Sequence, residues 1–578
     1  MREYILKYKK DILAFSFVSG LFFIFLVICW GRFGDIIVDC GREAYLPQLI
    51  LEGKVLYKEI FAMYNPLSYQ INALLYLMFG ASFNTLYFAG IFSTFLILFA
   101  IYLISRQLLS PFKAIFPALI TICFCICKHP NCVDYIFPYS YGMIYSLVTF
   151  LYFVLFSIYF VKKIEDEEKI QLCLSYYASF IMGISLACRY EFVLAYIPFL
   201  VYLLLKTKNI KVVFTNLFLV LFPISVSFGS LFIQGFKFED LVNYIQFGNN
   251  FFNVEEQKWY SKTQGYSLLA FVYFFKPVFQ RALLFFSILF LNVFCFLGIQ
   301  KLKVNKVFLV FIYLILFTFE SIFLLKSKSL YMLQNFSAFS WLTFSSILIL
   351  FISCFAKEIR NRIVYILLSS FIILSAFRIG FVYVGQYSVY FLPLALVCNI
   401  AFVLNLKMKP YIEKSIIFFL ILISCINFLV ISYQRNYDKS LLKTDKGNIY
   451  VLNSQFLPYK NVVNWIKENT NKSDTILVLP ESPMLNFITN RPTNNKYYHL
   501  IPNHISALGE ENIVRDLYKS MPDYIILQKY DYQLYGKHFL GLDYGLEIYD
   551  FINKNYVDIA IFSDSKNLFS ILLFKKKN

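Results

Sequence analysis

The chain has 578 residues, of which 59% are hydrophobic and only 15% are charged, and its mean hydropathy is +0.62. Soluble domains typically contain about 45–50% apolar and about 25% charged residues, so this composition excludes an ordinary soluble protein and indicates several membrane crossings. The net charge of +18 does not indicate nucleic-acid binding, because the basic residues lie in short clusters between apolar runs. Such clusters are typical of topology signals.

The apolar runs and the basic clusters alternate along the chain. The N-terminus is basic, and the run that follows it is near the roughly 20 residues needed to span a bilayer, with no small-residue cleavage site after it. We therefore expect a retained first helix whose start lies in the cytoplasm. Every predicted inner loop carries at least two Lys or Arg, and thirteen crossings place the C-terminus outside. The predicted helices are 11–30, 86–105, 112–128, 139–161, 171–188, 191–206, 212–234, 282–300, 307–325, 335–355, 362–381, 386–406 and 414–433.

The stretch 39–80 follows the first helix and lies outside by this topology. It carries too many charges to span, because one Asp, Arg or Lys at the bilayer centre costs about 3 kcal/mol. Its many Tyr, Phe and Leu residues nevertheless give it much to bury. We expect a folded segment at the membrane face, in which the short apolar run 69–80 lies in the interface or re-enters. A second polar outer loop is predicted near 236–265.

The last part of the chain, 434–578, has more charge and shorter apolar runs. Helices alternate there with short apolar strands, which predicts a small α/β domain. It lacks a Gly-rich nucleotide-binding motif. Glu481, Arg491 and His504 are polar residues of this domain that we expect on its surface. The predicted helices are 461–469, 510–521 and 543–555, and the predicted strands are 475–479, 523–528, 557–562 and 568–574.

Three short motifs follow the first helix in order. An outer-loop Asp precedes a G-x-x-L-Y stretch at Gly53–Tyr57, an N-P-L-S-Y stretch at Asn65–Tyr69 and an apolar run that ends at Phe79–Gly80. This plan resembles the membrane-embedded GT-C glycosyltransferases, specifically the family of protein O-mannosyltransferases and the lipid A aminoarabinose transferase. The resemblance implies a polytopic α-helical membrane protein of about 13 helices. It would have a catalytic domain at 1–433, including a folded outer loop at 31–85, and a soluble α/β domain at 434–578.

In that family an acidic residue of the first outer loop is the catalytic base, and by position this residue is Asp39. Cys40 stands where the family often has a second acid, so Glu43, one helical turn on, is the expected partner. The alternative is that Asp39 caps the following helix, with Glu43 as its first-turn acid. Asp134, in the loop after the third helix, is a second catalytic candidate, since related proteins place an acid near there.

Cations at the outer helix ends are candidates for binding a lipid phosphate. Arg189 and Arg378 lie beside apolar sequence that penalises an unpaired charge. A guanidinium group suits phosphate geometry and stabilises the charge that develops as phosphate leaves. Lys58 is a further phosphate candidate. The alternative for Arg189 is an ion pair with Glu191, and for either arginine it is snorkelling to the interface.

The sequence therefore predicts an inverting transferase that moves a hexosyl or pentosyl group from a polyprenyl-phosphate donor to a glycan, lipid or protein acceptor. It would act at the outer face of a bacterial inner membrane, without nucleic acid. No cofactor is predicted, although Asp39, Glu43 and Asp134 could together hold Mg²⁺ or Mn²⁺. One alternative is an O-antigen-type polymerase or ligase, whose large polar loop would lie between late helices. The other is a non-enzymatic transporter of lipid-linked glycans, with ionisable residues inside its helices.

Overall fold

A computed structural model describes residues 2–36, 39–126, 133–165, 172–263, 283, 287–298, 315–322, 338–378, 386–565 and 569–577. Long apolar helices dominate the first three quarters of the chain, because a backbone in lipid must satisfy its own hydrogen bonds. The α-helices before residue 437 are Arg2–Ile28, Cys40–Leu51, Leu67–Phe79, Phe83–Arg106, Ile115–Thr121, Tyr141–Glu165, Leu172–Cys188, Ile197–Thr207, Ile210–Ile233, Phe238–Asn253, Glu255–Thr263, Ser287–Gly298, Ala338–Phe355, Arg362–Arg378, Leu392–Asn405 and Pro410–Asn436.

Within the described residues, six helices of at least 18 residues are apolar enough to cross a membrane, and seven shorter apolar helices accompany them. The protein is therefore a multi-pass helical membrane protein. The count of thirteen spans stays a prediction, because the predicted helices 282–300 and 307–325 lie partly outside the described residues. Two local features were not predicted. The predicted outer loop 236–265 contains two helices, and the third predicted helix changes from α-helix to π-helix at Ile122.

The predicted inner ends of the helices contact one another. Lys113 forms an ion pair with Glu413 at 2.6 Å, and Lys206 forms one with Glu165 at 3.0 Å. Asp11 at the start of the first span pairs with Arg106 at the end of another. Basic residues at one end of a helix bundle, balanced by a few acids, are what the positive-inside rule leads us to expect.

The stretch between the first two long spans contains two helices. We call Cys40–Leu51 the site helix. The second helix, Leu67–Phe79, buries Tyr69 and Tyr76 and exposes Leu77 and Phe79. One buried aromatic face and one exposed apolar face are typical of a helix at a membrane interface.

The C-terminal part is an α/β arrangement, as predicted. Strands β1 (Lys439–Thr444) and β2 (Gly447–Leu452) form a hairpin that the sequence did not indicate. The main sheet has the order β3-β4-β6-β5, with β3 and β4 parallel and the other pairs antiparallel. Its strands are β3 (Ile476–Leu479), β4 (Tyr524–Gln528), β5 (Tyr556–Ser563) and β6 (Ser570–Lys576), and the helices of this part are Asn453–Asn469, Met484–Thr489, Pro502–Leu508, Glu510–Lys519 and Leu546–Asn555.

The two faces of this sheet pack against different layers. Leu477 and Ile525 belong to a core shared with helices Glu510–Lys519 and Leu546–Asn555. Their neighbours Ile476 and Ile526 belong to the core that continues into the membrane helices. Successive residues of a strand point to opposite faces of the sheet, so a strand that is apolar throughout buries side chains on both faces. The sheet is thereby fixed on the membrane helices.

Gly41 brings the site helix against the C-terminal part. A Cβ atom on Gly41 would lie 2.3 Å from the Ser482 hydroxyl and 2.7 Å from the Met484 backbone nitrogen. Ser482 also donates a hydrogen bond to the Ile36 carbonyl at 2.7 Å. Only glycine therefore allows the segment that follows β3 to approach the site helix this closely.

We expect Gly41→Ala to destabilise the protein by about 1–3 kcal/mol, since the added methyl group overpacks this contact. Helix propensity alone would favour Ala by about 1 kcal/mol. Gly20→Ala is the matched control, because it lies inside a helix with nothing within 4 Å of its Cβ position. Thermal unfolding in detergent measures both variants. Equal stability of the two variants would contradict the close approach.

Candidate active site

Three charged residues lie on the first turn of the site helix. Asp39 occupies the cap position and makes no side-chain capping bond, while Arg42 and Glu43 follow at the spacing of one helical turn. Arg42 and Glu43 are each 1% exposed, and the Asp39 side chain is 18% exposed. The Asp39 side chain therefore does not cap the helix, and among these three side chains it is the one that is partly exposed.

Arg42 holds Asp39 in place. Its Nη2 atom lies 3.1 Å from Asp39 Oδ1 and donates to the Tyr139 carbonyl at 2.6 Å. Its Nε atom donates to Glu43 Oε1 at 3.2 Å. Its Nη1 atom is buried and has no hydrogen-bond partner among the residues that the structure describes. A buried guanidinium group with an open donor is suited to an anionic ligand.

Glu43 supports this arrangement from behind. Its Oε2 atom accepts a hydrogen bond from the Tyr141 backbone N–H at 2.9 Å, and its Oε1 atom accepts from Arg42. Glu43 thus fixes Arg42 against the start of the helix Tyr141–Glu165. Its carboxylate is fully engaged with protein groups, which is the arrangement of a positioning residue.

Arg189 approaches the same place from another element. Its guanidinium carbon lies 4.0 Å from the centre of the Tyr64 ring, and that of Arg42 lies 5.0 Å from the same ring. Arg189 also pairs with Glu191 at 2.8 Å, so the sequence alternative of this ion pair is correct. Both guanidinium groups therefore contact the Tyr64 ring, and cation–π attraction stabilises each of them.

The C-terminal part contributes two more residues. Glu481 follows β3, and its Oε1 atom accepts a hydrogen bond from the Tyr532 hydroxyl at 2.7 Å. Gln528, at the end of the parallel strand β4, donates to the Glu481 carbonyl. The carboxyl ends of parallel strands meet at one sheet edge, where α/β folds commonly place functional residues. His499 Nε2 lies 3.4 Å from Glu481 Oε2.

Asp39, Glu481 and His499 converge. One carboxylate oxygen from each acid and one ring nitrogen lie within 4.8 Å of one another. Across the described residues this is the one group of three such side chains at that spacing. The predicted set of Asp39, Glu43 and Asp134 as shared metal ligands was therefore wrong, because their ligand atoms do not meet in this way.

Burial controls the pKa values of the group. It raises the pKa of the Asp39 carboxyl group, although the Arg42 guanidinium opposes the shift. Burial, followed by the charge of Asp39, raises the pKa of Glu481 well above its usual value. Burial lowers the pKa of His499 far below its usual value, with His504 and Arg42 adding to the shift. His499 is consequently a neutral imidazole at neutral pH.

Asp134 is held in a separate cluster. Its Oδ1 atom accepts from the backbone N–H groups of Ile136 and Phe137, and its Oδ2 atom accepts from that of Gly34. Arg435 Nη1 lies 3.5 Å from Oδ2, and both side chains are buried. These contacts join the end of the first helix to the loop at 133–140.

The remaining phosphate candidates lie elsewhere or cannot be placed. Lys58 donates to the Gly235 carbonyl at 2.9 Å at an exposed position. Arg378 is the last residue of its helix, and its side chain lies outside the described part. Glu481, Arg491 and His504 were predicted on the surface, and all three are buried, so that prediction was wrong.

Sequence reasoning did not single out Arg42, Glu481 or His499 for this site. A signal existed for Arg42, since it follows Asp39 by three residues and so shares its helix face. For Glu481, the signal was its position immediately after a buried strand. His499 had none, because a histidine in a polar loop carries no pattern that points to a distant partner.

No family model and no curated protein sequence matches this chain. Its structure is similar to ArnT from Cupriavidus metallidurans bound to undecaprenyl phosphate, with 10% identity, 96% of this chain and 98% of that chain covered, and a TM-score of 0.44. It is also similar to the archaeal oligosaccharyltransferase AglB from Archaeoglobus fulgidus, in complex with an inhibitory peptide and a dolichol-phosphate. That match has 11% identity, covers 99% and 75% of the two chains and has a TM-score of 0.49. Sequence identities of 10% and 11% do not establish a function, so only the site residues of this chain bear on what it does.

We expect Asp134→Asn to lower stability by about 3–5 kcal/mol, because it leaves the buried Arg435 without its counter-charge. Thermal unfolding in detergent measures the loss. Asp550→Asn is the control, since Asp550 pairs with Lys554 at an exposed site and should matter little. If Asp134→Asn proved as stable as this control, the cluster would not hold the loop.

Proposed function

We propose that this protein is an inverting GT-C-type glycosyltransferase that moves a sugar from a polyprenyl-phosphate donor to an acceptor outside the cytoplasm. One observation carries the proposal: an accessible carboxylate, Asp39, is fixed by a buried arginine beside a second buried guanidinium group. A base next to two phosphate-binding cations is what sugar transfer from a lipid phosphate requires.

In the proposed reaction Asp39 accepts the proton of an acceptor hydroxyl group. The acceptor oxygen forms a bond to the anomeric carbon, the bond from that carbon to the phosphate oxygen breaks, and polyprenyl phosphate leaves with the bonding electrons. Attack opposite the leaving group inverts the anomeric configuration. The raised pKa of Asp39 supports this role, since a base works best with a pKa closer to the operating pH.

Arg42 and Arg189 would bind the donor phosphate. Arg42 has an open Nη1 donor, and the guanidinium groups of Arg42 and Arg189 both contact the Tyr64 ring and act on Asp39. Each would stabilise negative charge on the phosphate as the glycosidic bond breaks. Arg378 stays a candidate from the sequence, whereas Lys58 already binds a backbone carbonyl.

A lipid-linked donor fits the placement of the site. The chain has no nucleotide-binding motif, and the basic helix ends contact one another rather than the site residues. We propose that the N-terminus is cytoplasmic and that the site and the C-terminal region face outward in a bacterial inner membrane. The exposed apolar side of the helix Leu67–Phe79 would rest in the lipid from which the donor enters.

We expect Asp39→Asn to lower the transfer rate by about 10²–10⁴-fold, because the amide cannot accept the proton. Transfer would be measured with purified enzyme and synthetic polyprenyl-phosphate hexoses and pentoses, in membranes that supply the acceptor. Glu52→Gln, at an exposed acid of the same segment, is the control. Near-normal transfer by Asp39→Asn would refute its role as the base.

We expect the double variant Arg189→Gln with Glu191→Gln to raise the KM for the donor and lower kcat/KM by about 10–100-fold. Charged hydrogen bonds contribute about 1.5–3 kcal/mol, and about 1.4 kcal/mol is tenfold. Changing both residues avoids leaving Glu191 buried without a partner. Arg515→Gln, an exposed arginine, is the control for a lost charge. An unchanged KM would show that Arg189 does not bind the donor.

A further inference from the structure

We propose that Asp39, Glu481 and His499 form a binding site for a divalent cation that joins the site helix to the C-terminal region. Two carboxylate oxygens and one imidazole nitrogen suit borderline ions such as Mn²⁺, Zn²⁺ or Co²⁺ better than Ca²⁺. The ion's binding does not depend on the proposed transfer reaction. The effect of the ion on a donor phosphate does depend on that reaction, and this part of the inference rests on the proposed function.

The geometry supports a shared ion. The three ligand atoms lie within 4.8 Å of one another. Bonds of about 2.0–2.2 Å to one ion would place ligand atoms roughly 3–4 Å apart, so only a small adjustment is needed. Tyr532 holds Oε1 of Glu481, and this leaves Oε2 to face His499 at 3.4 Å. One oxygen of Asp39 contacts Arg42, and this fixes the orientation of the carboxylate.

An independent observation also points to a ligand. His499 is 5% exposed, and its Nδ1 atom has no hydrogen-bond partner within the described part of the chain. The adjacent Tyr498 hydroxyl is buried and unpartnered in the same sense. Buried polar groups are nearly always satisfied, so open ones beside a group of three ligand-type side chains indicate that something binds there.

Charge leads to the same conclusion. Three buried or partly buried carboxylates act on one another here, those of Asp39, Glu43 and Glu481, and the Arg42 guanidinium group opposes them, while Arg189 and Glu191 neutralise each other. When all are ionised the site has an excess of two negative charges, and an anionic donor would add more. A divalent cation offsets this excess and draws the phosphate towards Asp39.

The ion would connect parts of the chain that lie far apart in sequence. Asp39 precedes the site helix, whereas Glu481 and His499 follow β3. The site is complete only when the C-terminal region packs against Gly41 and Ile36, as it does here. Binding energy of the ion would therefore stabilise that packing, since anything that binds only the assembled state stabilises it.

The test is Co²⁺ binding to the purified full-length protein in detergent, after removal of metals with EDTA and without any substrate. Visible absorption reports a Co²⁺ ion with nitrogen and oxygen ligands, and elemental analysis gives the stoichiometry. We expect the wild type to bind one ion per chain at this site. Glu481→Gln and His499→Phe should each weaken binding by at least about 10-fold.

The matched control is the exposed pair of His538 and Asp531, whose side chains lie 3.0 Å apart. Asp531→Asn with His538→Phe removes the same residue types and should leave Co²⁺ binding unchanged. Thermal unfolding without metal verifies that each variant is folded. A second pair of variants, Glu481→Asp and His499→Asn, keeps coordinating atoms and should bind Co²⁺ more tightly than the first pair.

The inference is overturned if the wild type binds no Co²⁺ above the level of the Glu481→Gln protein, or if both first variants bind like the wild type. These outcomes are distinct from failure of the proposed function. Normal sugar transfer by Asp39→Asn, with Co²⁺ binding to the wild type intact, would leave the metal site standing and remove the proposed base.

Discussion

The arrangement around Asp39 depends on the buried guanidinium group of Arg42. Removing such a charge from water is costly unless its donors are bound, and Asp39, Glu43 and the Tyr139 carbonyl bind three of them. Satisfying Arg42 therefore fixes the turn at the start of the site helix against the loop at 133–140. The same bonds hold the Asp39 carboxylate against Arg42. Stability and the geometry of the candidate site thus have one physical cause.

The second requirement is close approach of the C-terminal region. Gly41 has no Cβ atom, so Ser482 and Met484 can lie directly on the site helix. Glu481 lies between β3 and Ser482 in the chain, so this close packing brings it to Asp39. Two carboxylates at such a distance in a buried site repel each other unless a proton or a cation lies between them. The packing that closes the site also creates its need for positive charge.

Much of the fold follows from local sequence pattern. Apolar runs of sufficient length predicted the spans, and alternating short strands and helices predicted the C-terminal sheet to within a few residues. The site was only partly predictable. Asp39 was identified through the resemblance to a family with an acid in its first outer loop, and Arg189 was identified as a cation beside apolar sequence. Glu481 and Arg491 were expected on the surface, since burial of a charged residue depends on partners that are distant in sequence.

Asp134 illustrates why residue type and predicted side of the membrane are not enough. It resembles Asp39 in the sequence, as an acid in a predicted outer loop among aromatic residues. Its carboxylate, however, accepts three backbone hydrogen bonds and faces Arg435, whereas that of Asp39 remains partly exposed. The backbone conformation of residues 134–137 and the distant Arg435 distinguish the two, and neither is encoded in the local sequence around Asp134.

The packing around Cys40 explains why the residue directly after Asp39 is not an acid. The Cys40 sulfur is fully buried, contacts the Phe137 and Pro138 carbonyls and lies close to Gly34. A carboxylate there would accept from the Asp35 backbone N–H, which now donates to the sulfur at 3.3 Å, but it would also face two carbonyl oxygens. Two acceptors against a buried carboxylate make an acid directly after Asp39 unfavourable in this packing. Glu481 does meet Asp39, and the Tyr532 hydroxyl supplies a donor to it. Glu481 comes from the C-terminal region and meets Asp39 there, so the chemistry proposed for Asp39 depends on how that region packs on the site helix.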